Sequence, residues 1–425
     1  VYISFTDRGR QGGSATRRAG KVSSVVVTLG VVSLLTDISS ESVASILPLY
    51  ITGALGLSTI AYGFIDGIYQ GVSAVVRIGG GWASDRADRP KWVAFGGYAV
   101  SALAKVALLF ASGFAPVAAV ITVDRLGKGI RTAPRDALIT VNSDPQMLGR
   151  SFGVHRMLDT VGAALGPLIA FLILFFVPTG YQLVFVVSLA CALLGVCLLG
   201  LLVPGRRPRR ERVALGEVPV PFRWRGLNQP RMRRIVLAAG VFALLTVGDG
   251  FIYLVLQARS PFAALWFPLL YVGTNVAFFV FAVPLGRLAD RFGRARVFVL
   301  GHTALLAAYA CAALPVGGAI VTVACLVLLG VFYAATDGVL AALAAQFAPQ
   351  DSTASGIAAA QTVVAVGRLL GATGFGVLWF AAGREAAVLI VAAALAAAIP
   401  LLYLLLRPLS SAEAAATAER IEPAQ

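Results

Sequence analysis

The chain has 425 residues, of which 58% are hydrophobic and only 13% charged, with mean hydropathy +0.85. Soluble domains run at about 45–50% apolar and ~25% charged, so a water-soluble fold is excluded and the lipid bilayer is the expected surrounding. The formal net charge of +15 would point to nucleic acid in a soluble protein, but membrane proteins gather Lys and Arg in cytoplasmic loops; no nucleic-acid partner is expected.

A spanning helix needs about 20 mostly apolar residues. On that rule the chain divides, in order, into twelve segments near 22–50, 59–83, 91–112, 117–139, 152–177, 181–203, 234–257, 264–289, 295–315, 318–345, 354–381 and 385–407. Residues 1–21 are polar and basic, lack the apolar core of a signal peptide, and are expected to form a cytoplasmic tail. Residues 204–233, rich in Arg and Pro, fall almost at mid-chain and read as a cytoplasmic linker between six-helix bundles at 22–203 and 234–407, with a second cytoplasmic tail at 408–425. Arg86, Arg89 and Lys91, then Arg150, then the linker, then Arg291, Arg294 and Arg296 load alternate connections, while 51–58, 111–116, 178–181 and 315–318 carry no charge. The positive-inside rule then predicts a multi-pass protein of the cytoplasmic (inner) membrane with both termini inside.

Ionisable side chains at membrane depth are costly and normally face a protein interior or a wet cavity. Asp37 and Glu41 lie one helical turn apart on the first segment, and two close carboxylates cannot both ionise easily, so this pair is the leading candidate for proton coupling. Asp66, Asp249 and Asp337 are further acids in apolar segments, each open to the plainer reading of a carboxylate locked to an arginine such as Arg77 or Arg368. On the fourth segment Asp124, Arg125 and Lys128 cluster, with Asp124 and Lys128 spaced to pair on one helix face. His155, Arg156 and Asp159 open the fifth segment, where a solvated or helix-end role is favoured over a proton relay. Cys191, Cys197, Cys311 and Cys325 all sit in apolar stretches without CxxC spacing and read as packing residues, as does His302. Two histidines give no support to a metal site, and no cofactor is expected.

The chain also repeats itself. Gly81-Trp-Ala-Ser-Asp85-Arg86-Ala-Asp88-Arg89-Pro-Lys91 recurs 205 residues later as Gly286-Arg-Leu-Ala-Asp290-Arg291-Phe-Gly293-Arg294-Ala-Arg296, and Leu34-Leu35-Thr36 before Asp37 is echoed by Leu244-Leu245-Thr246 before Asp249. The loop G-x-x-x-D-R-x-G-R-x-K/R between second and third helices resembles the signature of the major facilitator superfamily, with Asp88 standing where glycine is usual in the first copy. The resemblance covers essentially the whole length and implies an all-α membrane protein of twelve helices in two pseudo-symmetric six-helix bundles. It further implies that Gly81, Asp85, Arg86 and Arg89, with Gly286, Asp290, Arg291 and Arg294, form a conformational latch, the two glycines letting neighbouring helices approach. Arg125, four residues before Gly129, is similar to the family's R-x-x-x-G element, which implies a part in proton transfer or in anchoring a substrate carboxylate. Gly153, Gly162, Gly166 and Pro167 are similar to the antiporter motif of proton-coupled exporters, although Ala170 and Phe171 stand where a last glycine pair is usual.

The expected function is therefore secondary active transport of a small molecule by alternating access, proton-coupled and directed to efflux, by a monomer. No G-x-x-x-x-G-K-[ST] stretch occurs, which argues against ATP hydrolysis. Enzyme chemistry is disfavoured for want of a nucleophile–base set. Proton-coupled uptake, or transport of a metal or metal chelate with Asp37, Glu41 and Asp66 as hard oxygen ligands, remains the alternative, and a non-transporting membrane receptor ranks below both.

Overall fold

In hydrocarbon every backbone N–H and C=O must find its partner within the protein, which leaves helices as the economical spanning element for a chain this apolar. A computed structural model describes residues 22–144, 147–205, 229–259, 262–313, 317–348 and 353–421. The expected tail at 1–21 and most of the expected linker, 206–228, lie outside the described residues.

The first half comprises α1 (Ser24–Leu49, continued by a wide turn through Ala54), α2 (Thr59–Ala87), α3 (Pro90–Leu108), α4 (Phe114–Val141), α5 (Leu148–Phe176) and α6 (Tyr181–Leu202). The second half comprises α7 (Pro230–Leu244), α8 (Asp249–Arg259), α9 (Phe267–Phe292), α10 (Arg294–Ala313), α11 (Ala319–Phe347), α12 (Thr353–Ala382) and α13 (Arg384–Ile421). Local chemistry sets several of these boundaries. Ser58 caps α2 by accepting from the Ala61 amide at 3.3 Å, and Pro90 and Pro230 open α3 and α7, where the missing N–H costs nothing.

One expectation is overturned here: the seventh span is not a continuous helix. The chain unwinds between Leu244 and Asp249, so α7 and α8 are two halves of one membrane crossing. Gly248 and Gly250 flank Asp249, a composition that lowers the cost of leaving the helix. The freed backbone is satisfied by Tyr309 of α10, whose hydroxyl accepts from the Val247 amide at 2.7 Å and donates to the Leu245 carbonyl at 3.0 Å. A second difference is that α13 continues through Pro408 to Ile421, into the stretch expected as a tail.

Nine described spans are long and apolar enough to cross a membrane. The helices α2, α3 and α4 are not among them, because they hold Asp66, Lys105, Asp124, Arg125, Arg131 and other polar side chains; all five of those named are buried in protein. Within the first half α1 packs on α5 and α6, α3 on α4 and α6, and α2 on α4. Within the second half α10 packs on α11 and α13, α9 on α11, and α7 on α12 and α13. The halves meet chiefly along α2–α12 and α5–α9. Helix alternation puts the basic connections at one end of the molecule, termed the basic end, and the uncharged connections at the other. All four cysteines are free thiols.

Candidate transport path

The first half carries two charge clusters of different character. In the inner one, the Asp124 carboxylate accepts from Arg125 Nε at 3.0 Å, is also gripped by Arg125 Nη2, and lies 3.4 Å from Lys105 Nζ, with all three side chains 2–3% exposed. The Arg125 guanidinium stacks 3.9 Å from the Tyr69 ring centroid, and Tyr69 in turn donates to the Ser40 carbonyl at 3.1 Å. Arg125 is thus sealed among protein groups. The expected pairing of Asp124 with Lys128 is not made, because Arg125 and Lys105 already claim that carboxylate.

Lys128 instead reaches across to α1, 3.9 Å from Asp37 Oδ1 and 4.0 Å from Glu41 Oε1. The side chains in this second cluster are 30% (Lys128), 14% (Asp37) and 27% (Glu41) exposed, and these long separations permit exchange with water. Arg135 lies 3.8 Å from Asp159 and donates to Ser33 Oγ at 3.2 Å, while Ser33 Oγ also meets His155 Nε2 at 3.0 Å. The expectation of a solvated His155 is therefore corrected: it is 3% exposed, because α5 lies flat on α1 and turns that face inward. Arg156, at 79% side-chain exposure, is the solvated member. His302 stacks on Phe242 with ring centroids 3.7 Å apart, a packing residue.

The α1–α5 contact is made by two of the three glycines of the antiporter-like set on α5. A Cβ at Gly162 would run into the Leu34 backbone, and one at Gly166 would lie 2.8 Å from the Ser42 amide and 2.9 Å from Glu41 Cβ. Close helix approach here fixes where Asp37 and Glu41 stand. Gly153 meets nothing within 4 Å, and Pro167 lies inside the helix, buried.

The second group of acids gathers where the halves meet. Asp66 of α2 is 8% exposed and its Oδ2 has no hydrogen-bond partner among the described residues; the atom is pressed against Gly248 in the break between α7 and α8. Asp249, at the start of α8, accepts from the Tyr333 hydroxyl at 2.8 Å. Arg368 of α12 lies 3.5 Å from Asp337 of α11. Asp337 has a side chain 55% exposed although it sits well inside its helix, which marks an aqueous route rather than lipid. Asp66, Gln70, Thr246, Val247, Gly248, Tyr333, Arg368 and Ala372 line a pocket of about 220 Å³, counting the space open to solvent. Asp66 is therefore remote in partners from Asp37 and Glu41, and no group of three or more His, Cys, Asp or Glu able to hold a metal occurs among the described residues. The three-carboxylate metal set is not assembled, since Lys128 occupies the place between two of its members.

Of the signature loops, the side chains of Gly81, Asp85 and Arg86 lie outside the described residues, and Arg89 is exposed at the start of α3. Asp88, in place of the usual glycine, has φ +49, and its counterpart Gly293 has φ +98; both loops turn through the left-handed region, where Asp is one of the few tolerated side chains. In the second copy Arg294 bonds Asp290 at 3.0 Å, Gln346 Oε1 at 3.1 Å and the Ala342 carbonyl at 3.3 Å, tying the loop to the end of α11, whereas Arg291 is exposed. No described atom lies within 4 Å of where a Cβ would sit at Gly286, so the expected close approach there is not made in this conformation.

The two ends of the path differ. Near the uncharged end α2 and α12 touch backbone to backbone: a Cβ at Gly67 would lie 2.7 Å from the Leu369 carbonyl, one at Gly63 would lie 3.0 Å from Gly376 Cα, and Thr59 Oγ1 donates to the Gly376 carbonyl at 3.2 Å. Phe171 and Trp266 close α5 against the start of α9 with centroids 5.2 Å apart. Toward the basic end Asp337 is wet and Gly286 is uncovered.

The model of the Major Facilitator Superfamily matches residues 29–372 and 260–424. The chain belongs to the Major Facilitator Superfamily. Among similar sequences, an uncharacterised MFS-type transporter of Methanocaldococcus jannaschii is 28% identical over 290 residues, 66% of this chain and 70% of that one. An uncharacterised protein of Mycobacterium tuberculosis is 28% identical over 303 residues, 69% of this chain and 72% of that one. Among solved structures, the nucleoside transporter NupG aligns with TM-score 0.74 at 14% identity, covering 90% of this chain and 99% of that one. The peptide transporter POT in complex with sulfate aligns with TM-score 0.75 at 16% identity, covering 92% and 96%. At such identities the likeness is one of fold. A Major Facilitator chain of this architecture is a multi-pass membrane transporter, with the path running between its two bundles.

Proposed function

We propose that the chain is a proton-coupled secondary transporter that exports a metabolite-sized organic molecule by alternating access, with its basic end in the cytoplasm. The reading is carried by the way Lys128 is held between Asp37 and Glu41 at 3.9 and 4.0 Å, with water able to reach all three. Protonating either acid weakens its hold on the lysine, and the lysine then falls to the other acid or to a substrate. Such a pair responds to pH and to ligand, unlike the sealed Asp124–Arg125–Lys105 group, which has no reason to change state. The coupling and the two conformations meet on α1, because Gly162 and Gly166 seat α5 against the same helix that carries both acids.

Alternation is supported by the closed uncharged end and the wet basic end, the arrangement of a carrier loaded from the basic side. Export is supported by the antiporter-like glycines of α5, and the cytoplasmic basic end by the loop charges. In this scheme the two signature loops, anchored in the second half by Arg294 on Asp290 and Gln346, act at the end that must close when the other opens.

The test is a flux measurement in proteoliposomes of known orientation. Efflux from the basic side should accelerate when the opposite side is acidified, and Asp37→Asn with Glu41→Gln should leave exchange of bound solute while abolishing its dependence on the proton gradient. Flux that ignores an imposed pH gradient, with both variants behaving as wild type, overturns the coupling; flux running only toward the basic side overturns export.

A further inference from the structure

Glu41 is held beside Lys128 by a side chain that takes no part in the ion pair. Tyr69 of α2 donates its hydroxyl to the Ser40 carbonyl at 3.1 Å, and its ring carries the Arg125 guanidinium 3.9 Å from the centroid. Both neighbours matter by position: Ser40 immediately precedes Glu41 on α1, and Arg125 stands about one turn before Lys128 on α4. Gly129 makes the stacking possible, since a Cβ there would lie 2.8 Å from the Ser73 carbonyl and 2.7 Å from Val76 Cβ. With α4 lying so close on α2, the residues one turn earlier, Arg125 and Tyr69, meet. Ser40 sits in mid-helix, where its carbonyl already serves the α1 ladder, so the tyrosine hydroxyl does not rescue an unpaired group. It is a strut between helices. The same turn of α1 is fixed on other sides by the Ser188 hydroxyl of α6, which donates to the Ser39 carbonyl at 2.7 Å, and by Gly166 of α5.

The helix that carries the strut also carries the seam between the halves. A Cβ at Gly67 or Gly71 of α2 would lie 2.7 or 2.9 Å from the Leu369 or Ala365 carbonyl of α12, and Tyr69 leaves the opposite face of α2. We infer that Tyr69 is a positioning residue for proton coupling: it ties the turn of α1 that bears Glu41 to the seam helix, so that parting the α2–α12 seam alters how closely Glu41 meets Lys128. Among the described residues Lys128 is the only cation within 4 Å of Glu41. Asp37 faces it from the same helix, Arg125 of α4 and Tyr271 of α9 lie within electrostatic reach, and α5 meets it with Gly166. The importance of Glu41 to transport rests on the coupling reading above; its placement by Tyr69 does not.

An infrared pH titration of the full-length protein in liposomes, with no solute and no gradient, tests the placement. The carboxyl band of Glu41 is assigned by its loss in Glu41→Gln. Tyr69→Phe keeps the ring under Arg125 and removes only the strut, and it should move the midpoint of that band by about half a pH unit or more, a threefold change in the protonation equilibrium. Gly63→Val, which obstructs the seam, should move the midpoint as well. In the double variant less than half of the Gly63→Val shift should remain, because the hydroxyl that transmits it is gone; a contact with a merely structural role would give additive shifts. The inference is overturned if Tyr69→Phe leaves the midpoint in place, if Gly63→Val moves nothing, if the two shifts add, or if no Glu41 band titrates while the protein is folded. Should either variant fail to fold, 3-fluorotyrosine in place of Tyr69, a stronger donor of nearly the same size, decides alone: an unmoved midpoint overturns the inference. Flux that ignores a proton gradient, alongside a midpoint that moves as expected, would instead sink the coupling reading and leave the placement of Glu41 standing.

Discussion

Lys128 lies 3.9 Å from Asp37 on the neighbouring helix, although its own helix offers Asp124 one turn away. The choice is forced by Arg125 and Lys105, which occupy the Asp124 carboxylate on the buried side of α4. Two adjacent turns of one helix therefore carry an ion pair that is closed to water and another that is open to it. The first holds α3 to α4; the second is free to respond.

Replacing Lys128 by Met tests the responsive pair. Partly exposed ion pairs contribute only about 0–1 kcal/mol, so the melting temperature of the purified protein should scarcely move. Transport under a proton gradient should fall by about tenfold or more, in the range of coupling energies that link two sites. A variant that transports normally, or one that does not fold, would remove Lys128 from the mechanism.

Asp124→Asn should behave in the opposite way. Removing one partner from a buried pair leaves an uncompensated charge and costs about 3–5 kcal/mol, here on both Arg125 and Lys105. The expected result is poor recovery and early melting, with whatever protein survives keeping its dependence on the proton gradient. Normal stability with lost coupling would show that Arg125 and Asp124 belong to the transport step itself.

The α5 glycines divide by position. Gly162→Leu drives a side chain into the Leu34 backbone, and Gly166→Val displaces α1 beside Glu41; overpacking of this kind costs about 1–3 kcal/mol and should reduce transport because it moves the coupling acids. Gly153→Ala meets open space and should leave stability within about 0.5 kcal/mol. Melting curves and flux on the three variants check the order, which fails if Gly153→Ala is as damaging as the other two.

What the sequence made legible was the apolar span and the repeated loop. Runs of about 20 apolar residues and alternating basic connections located the crossings, because each is a property of neighbouring residues. The break at 245–248 was hidden for the same reason: Leu244, Leu245 and Val247 keep the hydropathy high across it, and the group that makes it affordable, Tyr309, comes 62 residues later. The candidate acids stand out by their cost in an apolar segment, yet their partners are set by packing between helices. Spacing on α4 offered Asp124 to Lys128, and only the approach of α1 and α3 decided otherwise. His155 stands near a charged loop yet is buried, since burial depends on which face α5 presents to α1. Asp88 shows the converse: its place in a loop that elsewhere carries glycine anticipates the positive φ it adopts.

The last test concerns the closed end. Gly63 and Gly67 let α2 lie against α12 without intervening side chains, and Thr59 bonds the Gly376 carbonyl across the seam. Gly63→Val places methyl groups where the Ala372 carbonyl and Gly376 now sit, so it obstructs closure at the uncharged end while leaving each bundle intact. In a variant freed of the four native cysteines and carrying Gln70→Cys in the pocket wall, a membrane-impermeant thiol reagent added on the uncharged side should label slowly. Adding Gly63→Val should raise that labelling rate and lower transport together, because the carrier then rests open to the wrong side. Labelling that stays slow, with transport unaffected, would mean that the α2–α12 seam is packing alone and that the gate lies elsewhere, with Phe171 and Trp266 the next place to look.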